Sequence, residues 1–404
     1  MQKKIVALAV AGLSTAAFAQ TNVTIYGVAD VSGQGTTISG AKDPATPQTD
    51  GSTFNLQSNS SLIGFKGTED LGNGLKALFQ METTMYLNGG GTGAQAGTGN
   101  VWGTAGMRDS FVGMNSKYGT AMAGYLSTPF RSSLNSFDVM PGATGTGQIE
   151  NMMGEMRFGG SGLAYDSSIR ATAVAYAMPT LYGFDASVAY TGSNNNGTTN
   201  TTSAGSSCGA ASNGETSACT ATPQSAWGFN LGWTGYGVNL KGAFQQANYN
   251  LTSNTSNVQN LGDFTSYLVG AIYTGVQNLK LSAVYSRNSL GTNGVSTLTT
   301  NGAGKISNNQ AYIGASYRMG NWEPAASAVF ASDFDGSSVQ QYGSRQWTAR
   351  VGYYTSKRTQ LYGVLGNVNN SANQTYKPGL SASAASLTGG QNVFTYGLGM
   401  RTTF

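Results

Sequence analysis

The sequence predicts an all-β fold: a closed antiparallel barrel of about sixteen strands crossing a membrane. Three observations predict it. Short segments of alternating polarity recur along the chain. The connections between them alternate between very short and long. The last twelve residues, VFTYGLGMRTTF, form a strand with one greasy face. Phe394, Tyr396, Leu398, Met400 and Phe404 share that face, interrupted only by Thr402. Gly397, Gly399, Arg401 and Thr403 lie on the other, because successive side chains of a strand point to opposite sides. A strand that closes a barrel in lipid has reason to end on such a face.

Composition narrows the classes. The chain has 404 residues, room for one large all-β domain or two ordinary ones. Only 9% are charged, 58 are Gly, and mean hydropathy is −0.20, unlike a soluble enzyme or a helical membrane protein. An aromatic content of 10% argues against disorder. A net charge of +4, with Lys3-Lys4 and Lys357-Arg358 as the only basic pairs, gives no sign of nucleic-acid binding.

The N-terminus reads as a signal peptide over residues 1–19. Lys3 and Lys4 precede the apolar run 5–13, and Ala17-Phe18-Ala19 fits the small-x-small cleavage rule. The run is too short to span a bilayer, which takes roughly 20 residues. Cleavage after Ala19 leaves residues 20–404 as the barrel. No other run is long and apolar enough for a transmembrane helix.

In chain order, strands are expected at 23–32, 61–69, 75–86, 108–116, 121–128, 168–178, 184–190, 226–234, 238–249, 265–274, 279–288, 310–319, 322–332, 346–355, 360–367 and 393–404. Gly, Asn and Pro fill the short turns at 70–74, 117–120, 179–183, 235–237, 275–278, 320–321 and 356–359. Long connections fall between them, at 33–60, 87–107, 129–166, 191–225, 250–264, 289–309, 333–345 and 368–392. Turns on one side and loops on the other are the pattern of a bacterial membrane barrel.

Faces follow from parity. Leu279, Leu281, Ala283 and Tyr285 oppose Lys280, Ser282, Val284 and Ser286. Likewise Leu75, Ala77, Phe79 and Met81 oppose Lys76, Leu78, Gln80 and Glu82. An interior carrying Lys, Gln and Glu is read as water-lined rather than as a packed core, since unpaired buried charge is costly. Tyr26, Tyr182, Trp233, Tyr236, Tyr312 and Trp322, near strand ends, are read as interfacial girdles.

Cys208 and Cys219 both lie in a Ser/Thr/Gly-rich connection. One disulfide between them, in an oxidising compartment, is worth about 3 kcal/mol by loop entropy. The chain has no His, which removes Ser-His-Asp and Cys-His chemistry and His-based metal sites. Gly91, Gly93 and Ala96 match G-x-G-x-x-A, but no helix pattern follows. No enzyme, cofactor or metal site is expected.

The segment SSLIGFKGTEDLGNGLKALFQMET, residues 60–83, resembles the second hairpin of general porins from Gram-negative β-proteobacteria of the Neisseria and Comamonas type. VTIYGVAD at 23–30, RDSFVGM at 108–114 and the final Phe404 add to the likeness, which runs over the mature chain. The resemblance implies a 16-stranded outer-membrane barrel, usually a homotrimer, set among membrane lipid and lipopolysaccharide. It implies a third loop folded into the lumen, and passive diffusion of ions and small hydrophilic solutes. It makes Phe404 a signal to the barrel-assembly machinery. Lys66 and Arg108 match basic wall positions, and Glu82 shares the inward face. Arg131, Asp138 and Glu150 lie on the third connection with Glu155 and Arg157. Lys66, Glu82, Arg108, Arg131, Asp138 and Glu150 are therefore the expected pore-lining set. Leu62 stands where relatives often carry Arg, which leaves anion against cation preference open, and Arg170 could compensate. A substrate-specific channel is the nearest alternative. A secreted β-rich adhesin gives no reason for alternating loop lengths or the terminal Phe.

Overall fold

The computed structural model describes residues 22–40, 51–88, 107–140, 145–158, 163–192, 219–220, 225–248, 262–291, 304–379, 387 and 389–404. The signal segment 1–19 and Cys208 lie outside these residues, as do the side chains of Cys219 and Thr220.

The chain runs β1 (Asn22–Ser39), β2 (Gly51–Ser58), β3 (Leu62–Gly72), β4 (Leu75–Thr84), β5 (Ser110–Ser116), β6 (Gly119–Ser127), α1 (Pro129–Ser136), β7 (Glu155–Phe158), β8 (Leu163–Asp166), β9 (Arg170–Ala177), β10 (Phe184–Thr191), β11 (Cys219–Thr220), β12 (Ser225–Gly235), β13 (Val238–Asn248), β14 (Phe264–Tyr273), β15 (Leu279–Gly291), β16 (Lys305–Tyr317), β17 (Trp322–Ala331), β18 (Ser344–Tyr354), β19 (Thr359–Asn370) and β20 (Asn392–Thr403). All but β7, β8 and β11 join one antiparallel sheet, in which β20 pairs with β1 and closes the ring. β3 pairs with the first part of β1 and β2 with the second. They form one interrupted stave, so the barrel has sixteen.

The hairpin turns are tight. Asn73-Gly74, Tyr182-Gly183 and Tyr236-Gly237 all take positive φ at both central residues, the geometry that follows strand twist. Tyr182 and Tyr236 are 98% and 96% exposed, at the end where the girdle was expected. No helix among the described residues is long and apolar enough to cross a membrane. The outward face supplies the apolar belt, with Val112 of β5, Val269 of β14, Ile313 of β16, Leu365 of β19 and Leu398 of β20 all exposed.

Two departures from the sequence reading concern the first strands. β1 continues past residue 32 to Ser39, and β2 forms within the stretch 33–60 that reads as a loop. The outward positions there are Gly33 and Gly35, which carry no apolar signal. The rings of Phe54 and Tyr396, on neighbouring strands, lie over them instead. The break between β2 and β3 falls at Asn59-Ser60, where Ser60 takes a φ of 53°.

The interior is the third departure. It is not uniformly water-lined. Along β13–β19 the inward face carries Ala243, Leu268, Val284, Tyr312, Val329 and Val368, all buried. The connection after β6 folds onto this face and packs Phe130, Leu134, Phe137, Ile149, Met152 and Met153 against it. Tyr312 accordingly points inward and receives the Val139 backbone N–H on its hydroxyl at 3.1 Å, rather than joining a girdle. Tyr26 also turns inward.

Candidate functional site

The third long connection is built as an internal wedge. The Thr128 side chain caps α1 by accepting from Arg131 N at 3.4 Å, and Pro129 follows at the first turn, where its missing N–H costs nothing. The helix turns Phe130 and Leu134 into the packed half of the lumen, both with zero exposure. Asn230 of β12 donates to Ser133 Oγ at 3.1 Å and fixes the helix to the wall.

Beyond α1 the loop is pinched by Asp138. Its carboxylate accepts from Met140 N at 2.9 Å and from Ile149 N at 3.1 Å, joining two segments eleven residues apart. Lys280 of β15 donates to the backbone oxygens of Ser136, at 3.4 Å, and Asp138. Desolvation pushes the Asp138 carboxyl up to about 6, against the pull of its two backbone donors.

Arg131 and Glu150 meet inside the loop at 2.7 Å, both under 10% exposed. Asn135 donates to Glu150 at 2.7 Å and Gln148 at 3.0 Å, and Ser168 Oγ also donates to it. Arg131 reaches the Ser168 carbonyl at 2.5 Å. The pair joins α1, the 3-10 turn at Ile149–Asn151 and the approach to β9. Two of the expected site residues are thus brought together as a neutral, hydrogen-bonded tie, and their charge is spent holding the loop's shape.

The opposite half of the interior carries the more open charges. Arg108 Nε lies 3.5 Å from Glu82 Oε2. Tyr26 and Gln80 donate to Glu82 Oε1 at 2.7 and 3.1 Å. The exposed Lys66 ammonium sits 4.9 Å from the centre of the Tyr26 ring. Lys66, Glu82 and Arg108 therefore form one wall patch on β3, β4 and the approach to β5, with one net positive charge. Beside it, Arg170 lies 3.4 Å from Asp109, which also accepts from Ser127.

A second cluster was missed. Asp30 is fully buried and lies 3.4 Å from Arg401. Its other oxygen accepts from Tyr362 at 2.6 Å and Asn59 at 3.2 Å. The Arg350 guanidinium stacks 4.2 Å from the Tyr362 ring centre and donates to Gln360 at 2.7 Å. Parity alone could have found it, since Gln346, Thr348 and Arg350 alternate with Trp347, Ala349 and Val351.

The Gram-negative porin family matches this sequence over residues 6–373. The chain belongs to that family. Among curated relatives of this porin, major outer membrane protein P.IB of Neisseria gonorrhoeae is 32% identical over 203 residues, 49% of this chain and 50% of the relative. Outer membrane porin protein 32 of Delftia acidovorans is 31% identical over 191 residues, 47% of this chain and 49% of the relative. The porin spans about half the length of the curated relatives it matches. In structure it is similar to an anion-selective porin from Comamonas acidovorans, with a TM-score of 0.66 at 22% identity over 95% of this chain and 100% of the other. Salmonella typhi OmpF, in a complex with daunomycin, gives 0.60 at 17% identity over 95% and 97%. At these identities the structural matches speak for the fold.

Proposed function

We propose that this porin is a general diffusion channel of the outer membrane, passing ions and small hydrophilic solutes. The observation that carries the reading is the divided interior: one half is packed by an inward loop, and the other carries the Lys66–Glu82–Arg108 patch. A sixteen-stranded barrel is too wide for its own side chains to fill, so the space left beside the loop is aqueous. Its narrowest passage then lies between the loop and the charged patch, where fixed charges act most strongly on ions. Arg131, Asp138 and Glu150 serve by setting where the loop stands. The assembly is a homotrimer in lipid and lipopolysaccharide, reached after cleavage at Ala19 and insertion guided by Phe404, with Cys208 bonded to Cys219.

Planar-bilayer recording of the purified protein under a KCl gradient tests this. Discrete conductance steps are expected, and a bilayer that stays silent overturns the channel. Separately, migration at monomer mass in SDS without heating overturns a stable trimer.

A further inference from the structure

The eighth long connection, after β19, does not stay outside the barrel. Residues 374–379 are all buried, and Gln374 and Tyr376 have zero exposure. Asn370, at the end of β19, turns the chain inward by donating to Tyr376 O at 2.9 Å and accepting from Tyr376 N at 3.1 Å. The Tyr376 ring then joins the apolar cluster formed by α1, Met152 and Val368. The strap reaches the third loop, where Gly379 packs directly on the backbone of Gly145 and Thr146.

Its polar groups are spent on the loop's returning limb. Gly147 N and Asn151 Nδ2 both donate to Pro378 O at 2.7 Å. Tyr376 OH donates to Glu155 O at 3.0 Å, and Gln374 Nε2 to Arg157 O at 3.2 Å. Gln374 also donates to Tyr342 O at 2.8 Å, tying the strap to the connection before β18. From the wall, Gln310 donates to Met152 O and Glu155 O at 2.7 Å each. The returning limb is thus held between one wall side chain and a second piece of chain.

We propose that this strap is a positioning element of the channel: Gln374, Tyr376 and Pro378 clamp the third loop, so two connections set the constriction. The proposal rests on the channel reading above. A strap that held the limb would resist its displacement by an applied field and by thermal motion. Releasing it should let the limb sample positions that alter the bore.

The test replaces residues 373–379 by an equal run of Gly and Ser, and separately makes the double variant Gln374→Ala/Tyr376→Phe. The double variant keeps the ring and removes two of the clamping hydrogen bonds. Heat-modifiable migration in SDS gels establishes that each barrel is folded. Single-channel recording should then show added sub-states and closure at lower voltage in both variants, with the larger change in the swap. Conductance and closing voltage identical to those of the unaltered protein overturn the clamp. If the swap does not insert, the double variant decides alone by the same readout. Silence of the unaltered protein is a different result, and it overturns the channel reading instead.

Discussion

Asp30 and Arg401 stand directly opposite each other in the ladder that joins the first strand to the last, 3.4 Å apart. The two ends of the sheet are therefore matched in charge where they meet. A slip of one residue would turn Arg401 toward lipid and strand Asp30 inside, so the pair favours one register of closure.

Replacing one partner leaves a buried charge without its counterpart. Arg401→Gln, which leaves the fully buried Asp30 without its arginine, is expected to cost about 3 kcal/mol, read as a lower urea midpoint for loss of the heat-modifiable barrel. Asp30→Asn/Arg401→Gln should recover part of that loss. A double variant whose cost is the plain sum of the two single costs would show that the charges are not coupled.

The wall patch makes a prediction about ions. Lys66→Glu and Arg108→Glu each reverse a positive charge on the wall facing away from the packed half of the interior. Both should move the reversal potential in a KCl gradient toward cation preference. An unchanged potential in both variants would remove the patch from the narrow zone.

Asp138 makes a prediction about pH. Its carboxyl is raised from 3.8 to about 6 by desolvation. Across that window the folded loop holds a proton that the unfolded chain releases, so this group's contribution strengthens as pH falls from about 6 toward about 4. Protonation also removes one negative charge from the lumen. Selectivity should shift toward anions between about pH 7 and pH 5, and Asp138→Asn should flatten that shift. Identical pH profiles for the two proteins would exclude Asp138 as its source.

Phe404 exchanges two backbone hydrogen bonds with Gly27, at 3.0 and 3.1 Å, and its ring lies over Gly27 where a Cβ would intrude. Deleting Phe404 removes this stitch at the seam. The yield of folded barrel should fall, while the channels that do insert should conduct as before. Equal yields with and without Phe404 would defeat the prediction.

Most staves were legible because lipid on one side and water or loop on the other force strict alternation, as in 279–288 and 393–404. Lys66 and Glu82 were placed on the inward face by the same alternation, whereas Arg108 was reached only through the family resemblance. The extension of β1 was not. Its outward glycines take their apolar cover from Phe54 and Tyr396, residues far away in sequence. Tyr312 was misread because an aromatic near a strand end carries no mark of which face it serves. The buried tie between Arg131 and Glu150 and the descent of the eighth connection were invisible for a third reason. Loops have no period, so nothing in the chain announces which of their residues will lose water.

The apolar patch on the inner wall has a consequence for how the molecule forms. Ala243, Leu268, Val284 and Val329 have nothing to cover them until the third loop arrives. The barrel thus encloses a small oil-in-water core of the kind that drives soluble proteins to fold, separate from the hydrogen-bonded wall that lipid enforces. The two should respond to different solvents. Urea reaches the enclosed core through the lumen at concentrations below those that open the lipid-facing staves, so the loop should melt out first, from a barrel that is still closed.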